Sequence, residues 1–404
     1  MSGFKSREQK ASSSFCEQKE PKKHFITSMP LAYIPRTVGA LGTKVEKFFA
    51  SFFQKRSASL LLVATLMLAA VPAAAETTIR IGWCARTVSS AAAPFAVATK
   101  MGWFRDAGLK VELAPLPGST DCVKLVATGE LPYALPSIEP LVILRAQGVK
   151  VKNFYTAYQG NIYGIAVPAG SPIKTLADLK GKRIGVTAMA SAGVNVARAL
   201  VASQGFNPDT DVKIIAIGEG AQAAALLRQN QVDALSQYDV MYALVENAGA
   251  KLTFLDTSSI SKFPSNGFVA REDRLEKNPA EAIALGRAYA MGTIFTIANP
   301  EAAVRALWEV FPQTRGTGRE EAAALAEDIK TVSARIPNWK LEAGGVTQWG
   351  ENSVANYDAY VDFLLQWKVV PQKVPATELV TNALIGEINK LDVAKISAQA
   401  KAAK

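Results

Sequence analysis

The sequence predicts two α/β lobes with parallel-type sheets, hinged around a central cleft and followed by a helical C-terminal region. Three observations carry this. Short apolar runs alternate with helical segments of about ten residues from Thr78 onward, the pattern of sheets covered on both faces. Beyond Pro168 that pattern restarts as a second lobe, and from Pro279 on it turns purely helical.

In order, TIRIGW (78–83) is a strand, 90–101 a helix ended at Gly102, and LKVEL (109–113) a second strand. A Pro/Gly/Ser loop, 115–120, leads into a helix at 121–128 that stops at Gly129. Short strands follow at 133–135, 152–158 and 162–167, with a helix at 138–147. The second lobe opens with a helical turn at 176–179, a strand at 184–186 and a Ser191-capped helix whose apolar residues are Val194, Ala197, Leu200 and Val201. It continues with strands at 212–217, 232–235 and 252–255 and helices at 222–229 and 240–247. A strand at 266–270 returns to the first lobe. Helices are predicted at 280–297, 300–310, 319–335, 353–366 and 378–391, and the polar tail KISAQAKAAK is expected to fray. The resulting domains are a basic leader (1–57), a signal segment (58–75), lobe 1 (76–167 plus 266–310), lobe 2 (168–265) and C-terminal helices on lobe 1 (311–404).

The chain has 404 residues and a formal charge of +10, which by itself points to nucleic acid. Residues 1–75 hold +7 of that charge, so the body is near neutral and carries no basic stripe interleaved with aromatics. Nucleic acid is therefore not an expected partner. The leader ends in ASLLLVATLMLAAVPAAA (58–75), preceded by Lys55-Arg56 and closing on an A-x-A signal, which predicts export to the periplasm with cleavage after Ala75. The long preceding segment leaves an uncleaved signal anchor as the alternative, and no cysteine at the junction offers a lipid anchor. The sole histidine, His24, lies in that leader, which excludes Ser-His and Cys-His nucleophile pairs and His-bearing zinc patterns from the body. Cys84 and Cys122 follow the first and second strands. Neighbouring parallel strands would bring them close, and an oxidising compartment permits a bridge, but a buried pair of free thiols reads equally well.

Four loops follow strands and converge if the lobes face each other: 83–89, 136–137, 188–192 and 237–239. Each feeds a helix start, where unpaired N–H groups suit an anionic or polar ligand group, although most such turns in α/β proteins are empty.

KMGWFRDAGLKVEL (100–113), IKTLADLKGKRIGV (173–186) and LLRQNQVDAL (226–235) resemble blocks of the nitrate/taurine/alkanesulfonate group of ABC-importer solute-binding proteins, which shares its fold with NMT1/THI5-like domains. Asn230 stands where that group usually has glycine. The resemblance spans about residues 78–310. It implies a type II periplasmic-binding-protein fold that closes on a small solute by hinge bending, with no cofactor and no catalysis, as a monomer that delivers to a membrane permease and its ATPase. By position on the matching loops, the ligand cradle is expected to draw on Trp83, Cys84 and Arg86, on Ser137, on Ser191 and Ala192, on Gln237, Tyr238 and Asp239, and on Asn266 at the return crossing. Arg86 suits a carboxylate or sulfonate through paired donors, and Asp239 either holds an ammonium or caps its helix. An anchored sensory domain and a THI5-like pyrimidine synthase are the competing readings; the synthase needs histidine and iron, and the body has no histidine. N-terminal sequencing of the exported protein is expected to begin at Glu76, whereas an intact leader would mark an anchored role.

Overall fold

The computed structural model describes residues 76–316 and 318–403, so the leader, the signal segment and the cleavage site lie outside the described residues. The strands run β1 (Thr77–Trp83), β2 (Leu109–Pro115), β3 (Tyr133–Ala134), β4 (Val151–Thr156), β5 (Ala166–Pro168), β6 (Arg183–Val186), β7 (Lys213–Ala216), β8 (Ala234–Leu235), β9 (Leu252–Phe254) and β10 (Gly267–Arg271). They form two five-stranded sheets, ordered β2-β1-β3-β10-β4 and β7-β6-β8-β5-β9. The α/β two-lobe architecture thus stands as read from sequence. The sheets are mixed rather than parallel: β10 runs antiparallel to β3 and β4, and β5 antiparallel to β8 and β9. Each of these strands arrives from the opposite lobe, so it must run against its neighbours. Because β5 begins at Ala166, lobe 2 starts two residues before the expected boundary.

The helices between strands are α1 (Ala93–Lys100), α2 (Ser119–Thr128), α3 (Ile138–Ala146), α4 (Ala192–Ala202), α5 (Gly220–Arg228) and α6 (Asp239–Asn247). The C-terminal region supplies α7 (Pro279–Ala298), α8 (Pro300–Val310), α9 (Glu321–Trp339), α10 (Val354–Gln366) and α11 (Val393–Ala402). Helix α7 buries residues on most of its faces and lies hard against α1; a Cβ at Gly292 would meet the Pro94 carbonyl oxygen at 2.0 Å. Helix α10 packs on lobe 1 through Tyr357, Tyr360, Val361 and Leu364.

The C-terminal region departs from the sequence reading in three places. Residues 378–391 are not one helix but two single turns, Ala376–Leu379 and Ile385–Ile388, because Asn382 and Asn389 turn their side chains onto backbone groups near Asn352 and Trp349. The tail is not frayed. Asp392 caps α11 by accepting the Lys395 N–H at 2.9 Å, and Ile396 and Ala400, four residues apart, are buried against α7. Asn299 caps α8 with its Oδ1 and donates its amide to the carbonyls of Ala400 and Ala403, which ties down the α11 end. Finally, 311–404 does not sit on lobe 1 as a block: α9 packs on both α8 of lobe 1 and α6 of lobe 2.

Ile396→Ala is therefore expected to cost about 2–5 kcal/mol of unfolding free energy by denaturant titration, the usual loss for a buried isoleucine. A frayed tail would give no change.

Candidate functional site: the cleft between the lobes

Two segments cross between the lobes, 157–165 outward and 255–266 back. They bond to each other, since the Ala157 and Tyr158 N–H groups both donate to the Asn266 carbonyl and the Ser265 N–H donates to the Tyr158 carbonyl. On the outward crossing Tyr158 and Tyr163 both face the space between the lobes. A narrow crevice opens there. Trp83, Cys84, Ser89 and Leu135 wall it from lobe 1, Tyr238 from lobe 2, Tyr158, Ile162, Tyr163 and Asn266 from the crossings, and Arg335 from α9. Tyr163 stands edge-on to Tyr238 with ring centres 5.8 Å apart, and Trp83 edge-on to Phe95 at 6.4 Å. Four of the lining side chains, Trp83, Tyr158, Tyr163 and Tyr238, are aromatic and offer ring faces and edges to a flat solute.

Of the residues expected from sequence, Trp83, Cys84, Tyr238 and Asn266 line this cavity. Trp83 donates its Nε1–H to the Thr87 carbonyl at 2.8 Å, which curls the first loop over. That curl turns Arg86 outward: it is exposed and absent from the cavity wall, so it does not supply the expected cation there. Register pairing of Trp83 with Pro115 brings the end of β1 beside the start of α2, and Cys84 and Cys122 are joined there, Cα atoms 5.9 Å apart. Ser191 caps α4, its hydroxyl accepting the Gly193 N–H at 3.2 Å, and Ala192 is buried behind it; neither lines the cavity. Asn266 donates its amide to the Leu135 carbonyl at 2.8 Å.

Asp239 does not face a ligand, because Arg335 takes its carboxylate. The guanidinium holds Asp239 through Nε at 2.8 and 2.7 Å and through Nη2 at 2.6 Å, and Asn338 adds a bond at 3.1 Å. Arg335 also stacks over the Tyr158 ring at 4.1 Å. Burial alone would lower its pKa, but the Asp239 charge overrides this and raises it, so the guanidinium stays ionised. Sequence reasoning missed Arg335, Tyr158 and Tyr163. Arg335 lies in an amphipathic helix 96 residues from its partner, with no local signal; the two tyrosines lay in view, on segments read only as strands.

Behind Tyr163 sits a second polar group. Ser137 and Glu139 begin α3 and are each 1% exposed. The Ser137 N–H donates to the Ser119 hydroxyl at 3.0 Å, while its own hydroxyl has no partner. Glu139 accepts from the Tyr360 hydroxyl with Oε1, leaving Oε2 unpartnered. Burial pushes the Glu139 carboxyl above the usual range, with the Tyr360 hydroxyl pulling the other way. Burial likewise raises Tyr163, and the Glu139 charge adds to it. Gln237 is fully buried; its Nε2 donates to the Gly218 carbonyl at 3.3 Å and its Oε1 is left without a donor.

At the mouth the lobes touch. Glu219, ahead of α5, accepts the Arg86 N–H at 3.3 Å and the Thr87 hydroxyl at 2.5 Å. The Thr120 N–H reaches the Ala190 carbonyl at 3.3 Å, and a Cβ at Gly118 would lie 2.3 Å from that same oxygen. Among the described residues no cluster of three or more His, Cys, Asp or Glu is placed to hold a metal, and no helix is long and apolar enough to cross a membrane.

The NMT1/THI5 like family profile matches residues 89–303. The riboflavin-binding protein RibY of Chloroflexus aurantiacus is 23% identical over 62% of this chain and 70% of its own. The alkanesulfonate-binding protein SsuA of Xanthomonas axonopodis pv. citri, solved with MOPS bound, shares 18% identity over 76% of this chain and 99% of its own, with a TM-score of 0.57. The periplasmic aliphatic sulphonate binding protein SsuA of Escherichia coli shares 20% over 75% and 92%, with a TM-score of 0.54.

Asp239→Ala is expected to cost about 3–5 kcal/mol by chemical denaturation, because it strands the buried Arg335 charge. Adding Arg335→Met is expected to restore most of that loss, and additive costs in the double mutant would show that the two do not form a pair.

Proposed function

Because the chain belongs to the NMT1/THI5 like family, we propose that it captures a small organic solute between its lobes and delivers it to a membrane permease driven by a separate ATPase. The observation that carries this is the position of the cavity. It lies on the two crossings, walled by both lobes and by aromatic rings, with interlobe hydrogen bonds closing its mouth. Such a site holds its solute by replacing lost hydration with fixed side chains and releases it when the lobes part. Capture is without turnover, since nothing in the cavity wall pairs a nucleophile with a base. Export to the periplasm through the signal segment, with cleavage after Ala75, belongs to the same reading; the periplasmic sulphonate binder named above supports it.

The sequence reading favoured a sulfonate or carboxylate, with Arg86 as its counter-ion. The geometry favours a flat aromatic or heteroaromatic solute instead, because Arg86 lies outside the wall and Arg335 is neutralised by Asp239. The named relatives bind riboflavin in one case and alkanesulfonates in the others, so the shared fold serves both kinds of chemistry.

A thermal-shift screen over flat heteroaromatics, aromatic amines, carboxylates and sulfonates tests the reading. A solute at about 100 times its Kd should add about 2.7 kcal/mol of stability. Gly118→Val, whose side chain would strike the Ala190 carbonyl as the lobes close, should weaken that solute by about tenfold or more while leaving the urea midpoint of the free protein unchanged. Unaltered affinity in this variant would show that binding does not require the lobes to meet.

A further inference from the structure

Arg335 is the one charged side chain among the described residues that line the crevice, and its charge is committed elsewhere. A guanidinium recognises a carboxylate or sulfonate through the paired N–H groups of its edge. Here that edge is turned to Asp239, which Nε meets at 2.8 and 2.7 Å and Nη2 at 2.6 Å. The Tyr158 ring covers one face at 4.1 Å, and the Tyr238 ring lies 6.0 Å away. Asp239 is not part of the wall itself; it lines a neighbouring groove between α6 and α9, with Tyr242, Glu246 and Asn338. A solute in the crevice therefore meets a cancelled charge and no free fork of donors.

The other polar groups of the wall are neutral. Tyr158, Tyr163, Tyr238 and Ser89 offer hydroxyls, which both donate and accept. Burial holds the three phenols above their usual range, so they do not ionise. The Ser89 hydroxyl has no partner and does not cap the turn that follows it. The Asn266 amide is engaged at both ends, by the Leu135 carbonyl and the Ser265 hydroxyl. Unbonded groups beside the wall favour neither sign: Trp339, whose ring stands 6.5 Å from that of Tyr158, holds a free donor, and Gln237 a free acceptor. An ion leaving water for such a crevice finds no counter-charge, which is costly, whereas a neutral polar edge exchanges water for hydroxyls at small loss.

Resting on the reading of the cleft as a solute site, we infer that its solute is uncharged, a flat ring compound with amide-like polar edges, and that Asp239 enforces this by holding the Arg335 guanidinium away from it. Asp239 is a positioning residue: it touches no solute and acts through Arg335. With its charge removed, the wall presents a bare cation and the cleft takes anions.

The test uses the full chain at neutral pH and three probes of one shape and three charges: benzamide, benzoate and benzamidine. The expected result is thermal stabilisation by benzamide, with each ion binding at least about tenfold more weakly. Either ion binding as tightly as benzamide overturns the proposal while leaving the cleft as a solute site. Stabilisation by none of the three overturns the cleft reading and the proposal with it. In Asp239→Asn, which keeps the side chain's size and removes its charge, benzoate should gain at least about tenfold over the wild type while benzamide changes little. A merely structural role for Asp239 would weaken all three probes together, so benzoate that does not gain overturns its part in selection. Should that variant fail to fold, the wild-type ranking of the three probes decides the proposal on its own.

Discussion

The buried pair between Arg335 and Asp239 sets the terms for the rest of the cleft. It joins a helix that follows both lobes in sequence to the first turn of α6 in lobe 2, and it does so beside the crossings. Two opposite charges removed from water lose more hydration than their attraction returns unless every donor and lone pair is met. Here the bidentate guanidinium, the Asn338 amide and the Tyr158 ring supply those partners. The result is that the obvious acid and the obvious base of the site neutralise each other. What remains for a solute, on the proposed reading, is a wall with four aromatic rings and no free charge, a different surface from the one two free charges would present.

The alternation of strands and helices was legible because each element carries its own signal: a short apolar run, a helical spacing, a Gly or Ser at the boundary. The stretch from Ile173 to Gly205 shows this well, with the turn at 176–179, β6 and a Ser191-capped α4 each where the pattern puts them. The exchange of strands between lobes was legible only for β10, whose return was read from its place in the order. That β5 is likewise exchanged, and that both run backwards, depends on pairing with β3 and β8, two-residue strands too short to announce a direction. At the C-terminus composition misled: the tail is polar overall, yet Ile396 and Ala400 at a spacing of four were the visible trace of a packed face.

The site divides in the same way. Trp83, Tyr238 and Asn266 were found because they stand at strand ends, where position alone predicts convergence. Arg86 was misplaced because the loop's direction is decided by a side-chain-to-backbone bond from Trp83, which no pattern of residue types encodes. Glu139 was passed over for a related reason. A glutamate in the first turn of a helix is ordinarily a solvated complement to the dipole, and only the stacking of Phe263 on Tyr360 and the packing of α10 over α3 make this one interior. Burial contributed from more than 200 residues away along the chain leaves no local mark.

The same magnitudes constrain how the cleft opens. Separating the lobes at the mouth breaks Glu219 from the first loop and Ala190 from Thr120, exposed or half-exposed contacts that water replaces at small net cost. Breaking Arg335 from Asp239 would strand a charge in the interior at about 3–5 kcal/mol, too much to spend in every cycle of a protein whose whole stability is about 5–15 kcal/mol. Lobe 2 must therefore turn about that pair rather than away from it. The crossings reinforce this, since their mutual bonds at Ala157, Tyr158, Ser265 and Asn266 lie beside it. The pivot is then three-stranded: two crossings and the end of α9. A wall residue such as Tyr158, seated on the pivot, keeps its place in both states, while Tyr238 and Trp83 move relative to each other. On the proposed function, the solute is thus first received by the crossings and only afterwards enclosed by the lobes.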